Sequence, residues 1–174
     1  MRPSLPFFNQ HRFVGTAAPE GRVNVSPKGM DSLRVLRPTR VVWLNVTGSG
    51  NETAAHLLNS PRMTLMFCAF AGAPLILRLY GSARMVQPGD SDWAAITALF
   101  PALPGARQVF TLDIDLVQTS CGMAVPLMEF QAERHELNDW AAAKSPDALS
   151  AYQQEKNALS IDGFPTGLPQ TEIT

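Results

Sequence analysis

Two short stretches of the chain carry residue types that can hold an anionic ligand. The first is Thr47-Gly48-Ser49-Gly50-Asn51, followed by Glu52 and Thr53. Glycines let the backbone approach an anion, and the hydroxyls of Thr47 and Ser49 can donate to phosphate oxygens. A helix beginning behind the loop adds exposed amides and a favourable dipole. The loop lacks the Gly-Lys-Ser/Thr ending of a Walker sequence and is not a GxGxxG fingerprint; such a turn also serves as a plain strand-to-helix connection. The second stretch is Arg22-Val23-Asn24-Val25-Ser26-Pro27-Lys28. On a strand, Val23 and Val25 point one way and Arg22, Asn24 and Ser26 the other. That polar row meets either a ligand or solvent, with Lys28 adding positive charge at its end.

Other reactive residue types are scattered. His11, His56 and His135 have no metal-ligand spacing, so no metal is expected, and no Ser-His-Asp arrangement can be read from order alone. Cys68 and Cys121 form no CxxC pair; Cys68 lies in an apolar run and Cys121 in a Ser-Cys-Gly turn. Fourteen Lys and Arg against fifteen Asp and Glu leave a net charge of −1, which gives no reason to expect a nucleic-acid partner and makes anion recognition local. No stretch reads as a signal peptide or membrane helix, so a cytoplasmic protein is expected.

These residues need a scaffold. The 174 residues, 45% hydrophobic and 17% charged, fit one globular domain over 1–174 with a substantial core. Apolar and β-branched patterning predicts strands at 11–17, 22–26, 40–47, 62–70, 75–86 and 108–118. Helices are expected at 52–59, capped by the Asn51 side chain, at 91–100, and over a C-terminal segment of about 136–160 that Pro146 divides. Only one strand-to-helix crossover is evident, which disfavours a doubly wound parallel sheet and leaves an antiparallel barrel or sandwich.

Seven segments in order, RVNVSPKG (22–29), DSLRV (31–35), TGSGNET (47–53), RMTLMFCAF (62–70), LILRLYG (75–81), QTSCG (118–122) and EKNALSIDG (155–163), make the chain resemble flavin-nucleotide-binding relatives of pyridoxamine 5′-phosphate oxidase. The resemblance covers nearly everything from about residue 11. It implies a mainly β fold, a six-stranded antiparallel split barrel with peripheral helices. It also implies a homodimer holding FMN in a groove between subunits.

On that resemblance Arg22, Asn24, Val25, Ser26 and Lys28 lie along the flavin and its ribityl chain. Thr47, Gly48, Ser49, Gly50, Asn51 and Thr53 receive the phosphate, and Gln118, Ser120, Cys121 and Gly122 approach the flavin from the second subunit. The chain departs from the oxidase at Glu52 and Thr53, which stand where basic residues grip the phosphate. Positive charge must then come from Arg22, Lys28, a farther arginine or the helix amides. The oxidase's C-terminal Trp and Arg pattern for pyridoxamine phosphate is missing, so vitamin B6 oxidation is not inferred. The expected function is an FMN-dependent oxidoreductase; the alternative is a protein that stores, senses or carries flavin, haem or a deazaflavin without turnover.

Overall fold

The computed structural model describes residues 12–169. Its strands are β1 (Arg12–Thr16), β2 (Asn24–Lys28), β3 (Leu33–Arg37), β4 (Arg40–Val46), β5 (Arg62–Cys68), β6 (Ile76–Val86) and β7 (Ala106–Ser120). The helices are α1 (Glu52–Asn59), α2 (Trp93–Thr97), α3 (Glu136–Ala142) and α4 (Pro146–Asn157). All strands join one sheet in the order β2-β1-β5-β6-β7-β4-β3, and every pairing is antiparallel.

That order forces curvature. Strands β2 and β3 are the two edges of the sheet, yet only residues 29–32 separate them in sequence. Five backbone steps from Lys28 to Leu33 reach roughly 18 Å at most. The edges of a flat seven-stranded sheet would stand about 29 Å apart. The sheet therefore curls until its edges face each other, without pairing. One short contact spans the gap: Lys28 Nζ of β2 lies 5.2 Å from the Trp43 ring centroid on β4.

Alternation along β4 explains why that strand is buried on both faces. Val41 and Trp43 point into the curled sheet with Val14, Leu65, Phe67, Leu79, Phe110 and Leu112. Val42 and Leu44 point outward with Val86 and Val109, and there Phe100 together with Trp93 and Ile96 of the short helix α2 covers them. Trp43 and Phe110, opposite one another across β4 and β7, stack with centroids 5.0 Å apart. Two apolar layers thus fix the strand from which the candidate site is built.

The mainly β antiparallel architecture agrees with expectation, but the sheet has seven strands and is not closed. The additional strand is β3, whose sequence LRVLR alternates poorly and sits between turn-forming residues. Its pairing with β4 makes it a strand, and a register shift between Val35 and Arg37 interrupts that pairing. The first strand is predicted from His11, which lies outside the described residues. Pro27 continues β2 beyond the predicted end at residue 26; an edge strand tolerates the missing N–H. Helix α2 spans 93–97 rather than 91–100. Pro146 does divide the C-terminal helices: it opens α4, where Ser145 Oγ accepts from the Ala148 amide at 3.2 Å. Among the described residues no helix is long and apolar enough to cross a membrane.

Candidate functional site

The gap between the sheet edges is a groove of about 1320 Å³. One wall is the inward row of β2, namely Asn24, Ser26 and Lys28, and the opposite side includes Trp43 and Asn45 of β4. The loop Gly48–Asn51 with Glu52 and Thr53 of α1 closes one end, Arg12 and Arg107 contribute from β1 and β7, and the irregular segment Met128–Arg134 passes along the rim. Met30, in the short link joining the edges, lines the groove with φ 60°, a left-handed backbone that an L side chain rarely adopts.

Among the cations that line this space, Lys28, Arg107 and Arg12 are shifted by burial. Burial pushes Lys28 down to about 8, helped by the charges of Arg107 and Arg12. Burial likewise lowers Arg107 and Arg12, each to about 10. Arg12 donates to Ser32 Oγ at 2.5 Å, and the charges of Glu133 and Asp31 partly compensate its burial. Among the described residues no carboxylate is paired with Lys28 or Arg107. Like charges gathered in a low-dielectric groove repel one another, and an anion placed among them relieves that repulsion, although Glu52, Glu129 and Glu133 also line the groove.

Asn51 sits where the cations and the loop meet. It is 3% exposed, precedes α1 without a side-chain capping bond, and among the described residues neither its amide nitrogen nor its oxygen has a partner. The expected cap is therefore not formed. A buried amide left without partners costs about 1–3 kcal/mol, which marks a position that a ligand can complete. Beside it, Asn24 Nδ2 lies 3.5 Å from both Thr16 Oγ1 and Thr53 Oγ1, and Thr16 Oγ1 is 3.0 Å from His56 Nδ1.

The model of the family described as pyridoxamine 5′-phosphate oxidase matches residues 5–121. A pyridoxamine 5′-phosphate oxidase family protein, ustO of Aspergillus flavus, is 37% identical over 171 residues, covering 88% of this chain and 69% of its own. The chain belongs to the pyridoxamine 5′-phosphate oxidase family. The fold is similar to that of Group A Streptococcus HupZ in two crystal structures. One is of a histidine-to-alanine variant, with TM-score 0.52 and 18% identity over 66% of this chain and 92% of that one. The other has TM-score 0.51 and 17% identity over 67% and 92%.

The residues that the family resemblance singles out do not all meet. Arg22, Asn24, Ser26, Lys28, Gly48, Ser49, Gly50, Asn51 and Thr53 line the groove. Val25 faces away and is 63% exposed, as the alternation along β2 requires. Thr47 is buried beneath the loop, where its hydroxyl donates to Gly105 O at 2.9 Å and accepts from Gln153 Nε2 at 2.7 Å. Gln118 and Ser120 lie on the far part of β7, bonded to Tyr80 and Arg78, and with Cys121 and Gly122 they do not line this chain's groove.

Arg22 is at the rim, and its charge is met by Asp162, which also accepts its backbone amide at 2.7 Å. Glu52 points its carboxylate at the Ile161 amide, 3.1 and 3.2 Å away. The farther arginines that sequence left unnamed are Arg12 and Arg107. Their only signal is a charge set at the start of an otherwise apolar strand, in RFVGT and ARQVF. Among the described residues no group of three His, Cys, Asp or Glu is placed to hold a metal ion.

Proposed function

We propose that the groove binds FMN, with the phosphate at the Gly48–Asn51 end and the ring system along β2, and that the protein is an FMN-dependent oxidoreductase. One observation carries this reading: half-buried Lys28 and buried Arg107, among the described residues without carboxylate partners, converge with Arg12 on the groove that Asn51 enters with both amide atoms unpaired. The donor set fits the cofactor. Lys28, Arg107, the Ser49 hydroxyl and the loop amides would hold the phosphate, and Asn24 and Ser26 would meet the polar edge of the ring system. Bound FMN supplies hydride or electron transfer. This chain's own residues bind and orient it, and Trp43 and the Met128–Arg134 segment keep water from part of the groove.

The volume suits a flat cofactor with room to spare. Small-molecule sites run about 300–1,000 Å³, and the single-chain groove is about 1320 Å³, which leaves space beside a flat cofactor for a substrate or for residues of a second copy. A homodimer is part of the reading, since Gln118–Gly122 lie away from their own groove and the family resemblance brings them to the cofactor from a second copy. A cytoplasmic setting is part of the same reading.

The test is titration of the purified protein with FMN and with riboflavin, followed by anaerobic addition of NADH or NADPH. Tight FMN binding that depends on the phosphate, with bleaching of the flavin and turnover on an acceptor, is expected. Absence of FMN uptake defeats the cofactor assignment, and FMN binding without reduction leaves a carrier.

A further inference from the structure

The groove loop is held from behind by helix α4, which lies beyond the residues matched by the family model. Asn157, at the last turn of that helix, is fully buried. Every polar group of its side chain is used. Its Oδ1 accepts from Arg107 NH1, and its Nδ2 donates to Gly48 O at 2.9 Å. Its backbone oxygen accepts from the hydroxyl of Thr166, also fully buried, at 2.6 Å. Arg107 in turn donates through NH2 to Gly50 O at 3.2 Å, while its Nε is buried without a partner.

The consequence for the loop is directional. Two carbonyls, those of Gly48 and Gly50, are drawn toward α4 and Arg107. A glycine-rich loop has much conformational freedom to lose, so an anion gains from amides already held in place. Arg107 has the same difficulty on a long side chain, and Asn157 fixes its head group.

Resting on the reading that this end of the groove takes the FMN phosphate, we propose that Asn157 is a positioning residue for phosphate recognition, holding Arg107 and the Gly48–Gly50 loop in anion-binding form. The position requires an acceptor and a donor in one compact, uncharged side chain. Leucine fills the volume and offers neither. Aspartate keeps the acceptor for Arg107 but loses the donor to Gly48, and its charge offsets the arginine.

The experiment compares FMN with riboflavin, which lacks the phosphate, by flavin fluorescence titration of the full chain and of Asn157→Leu and Asn157→Asp, with thermal melting run in parallel. In both variants FMN Kd is expected to rise about 10-fold, the equivalent of about 1.4 kcal/mol. Riboflavin Kd should stay within about two-fold of the wild-type value, so the preference for phosphate collapses while binding of the ring persists. A merely structural role for Asn157 would weaken both ligands together, and that result overturns the proposal. So does an unchanged FMN preference in Asn157→Asp, the variant that keeps the Arg107 contact and a buried polar group if Asn157→Leu fails to fold. If the wild-type chain itself shows no preference for FMN over riboflavin, the groove reading fails first, and the two failures are distinct.

Discussion

Lys28 has its charge set by the groove around it, and that makes it the residue through which phosphate binding can be read. Its pKa falls from an ordinary 10.5 to about 8 because burial and the neighbouring Arg107 and Arg12 disfavour the ammonium. A bound phosphate reverses that balance, so binding takes up a proton. FMN affinity should therefore fall as pH rises through about 8, by up to ~10-fold per pH unit. Lys28→Arg, charged throughout, should abolish this slope, and Lys28→Met should weaken FMN about 10- to 100-fold at neutral pH. Titration from pH 6.5 to 9.5 checks both. The sign for folding is separate: the unfolded chain holds the proton between about 8 and 10.5, so the Lys28 contribution makes the ligand-free protein more stable as pH rises through that window. Lys28 was legible in the sequence because it ends an alternating polar row. Arg107 was not, since what makes it part of the site is its placement beside Gly50 and Asn157.

At the scale of elements, α1 and the β6–β7 pair make opposite points about local rules. Helix α1 begins where its sequence predicts, but Asn51 forms no cap bond and keeps its amide unpaired in the groove. An ordinary N-cap replaced by alanine costs about 1 kcal/mol. Here Asn51→Ala should change the urea-unfolding free energy by less than about 0.5 kcal/mol, because loss of an unsatisfied buried amide offsets any local effect. FMN affinity should drop nonetheless. In the strand pair, the register shifts between Tyr80 and Gly81, and a Cβ at Gly81 would stand 1.9 Å from the backbone oxygen of Asp113. Gly81→Ala forces the two strands apart and should destabilise the fold by at least about 2 kcal/mol, seen as a lower urea midpoint with little change in slope. Sequence marks residue 81 as glycine within a strand pattern; only the pairing shows why.

For the molecule as a whole, the curl of the sheet turns the polar row of β2 inward and leaves Val25 outside, 63% exposed, while Val23, 71% exposed, stands at the rim of the groove. Apolar residues on an outer strand face suit an interface between copies. The dimer reading expects a mass near twice the 18.9 kDa chain, measured by sedimentation or light scattering. Val25→Asp should shift that mass toward the monomer if β2 lies at the interface. Loss of FMN affinity in the same variant would show that the second copy completes the site. A wild-type monomer with full flavin affinity would contradict the shared groove.

Sequence by itself determined the mainly β antiparallel class, the helix behind the glycine loop, the break at Pro146 and the family. Each of these depends on periodicity, turn chemistry or motif order, which are local along the chain. Tertiary structure decided the rest. It added β3, whose weak pattern becomes a strand only through its pairing with β4. It drew the distant Arg12 and Arg107 to Lys28, left Val25 and Gln118–Gly122 away from the groove, and placed Asn157 behind the loop. Those outcomes depend on a short link between the two edges of a seven-stranded sheet, which forces the edges to meet and creates the groove between them.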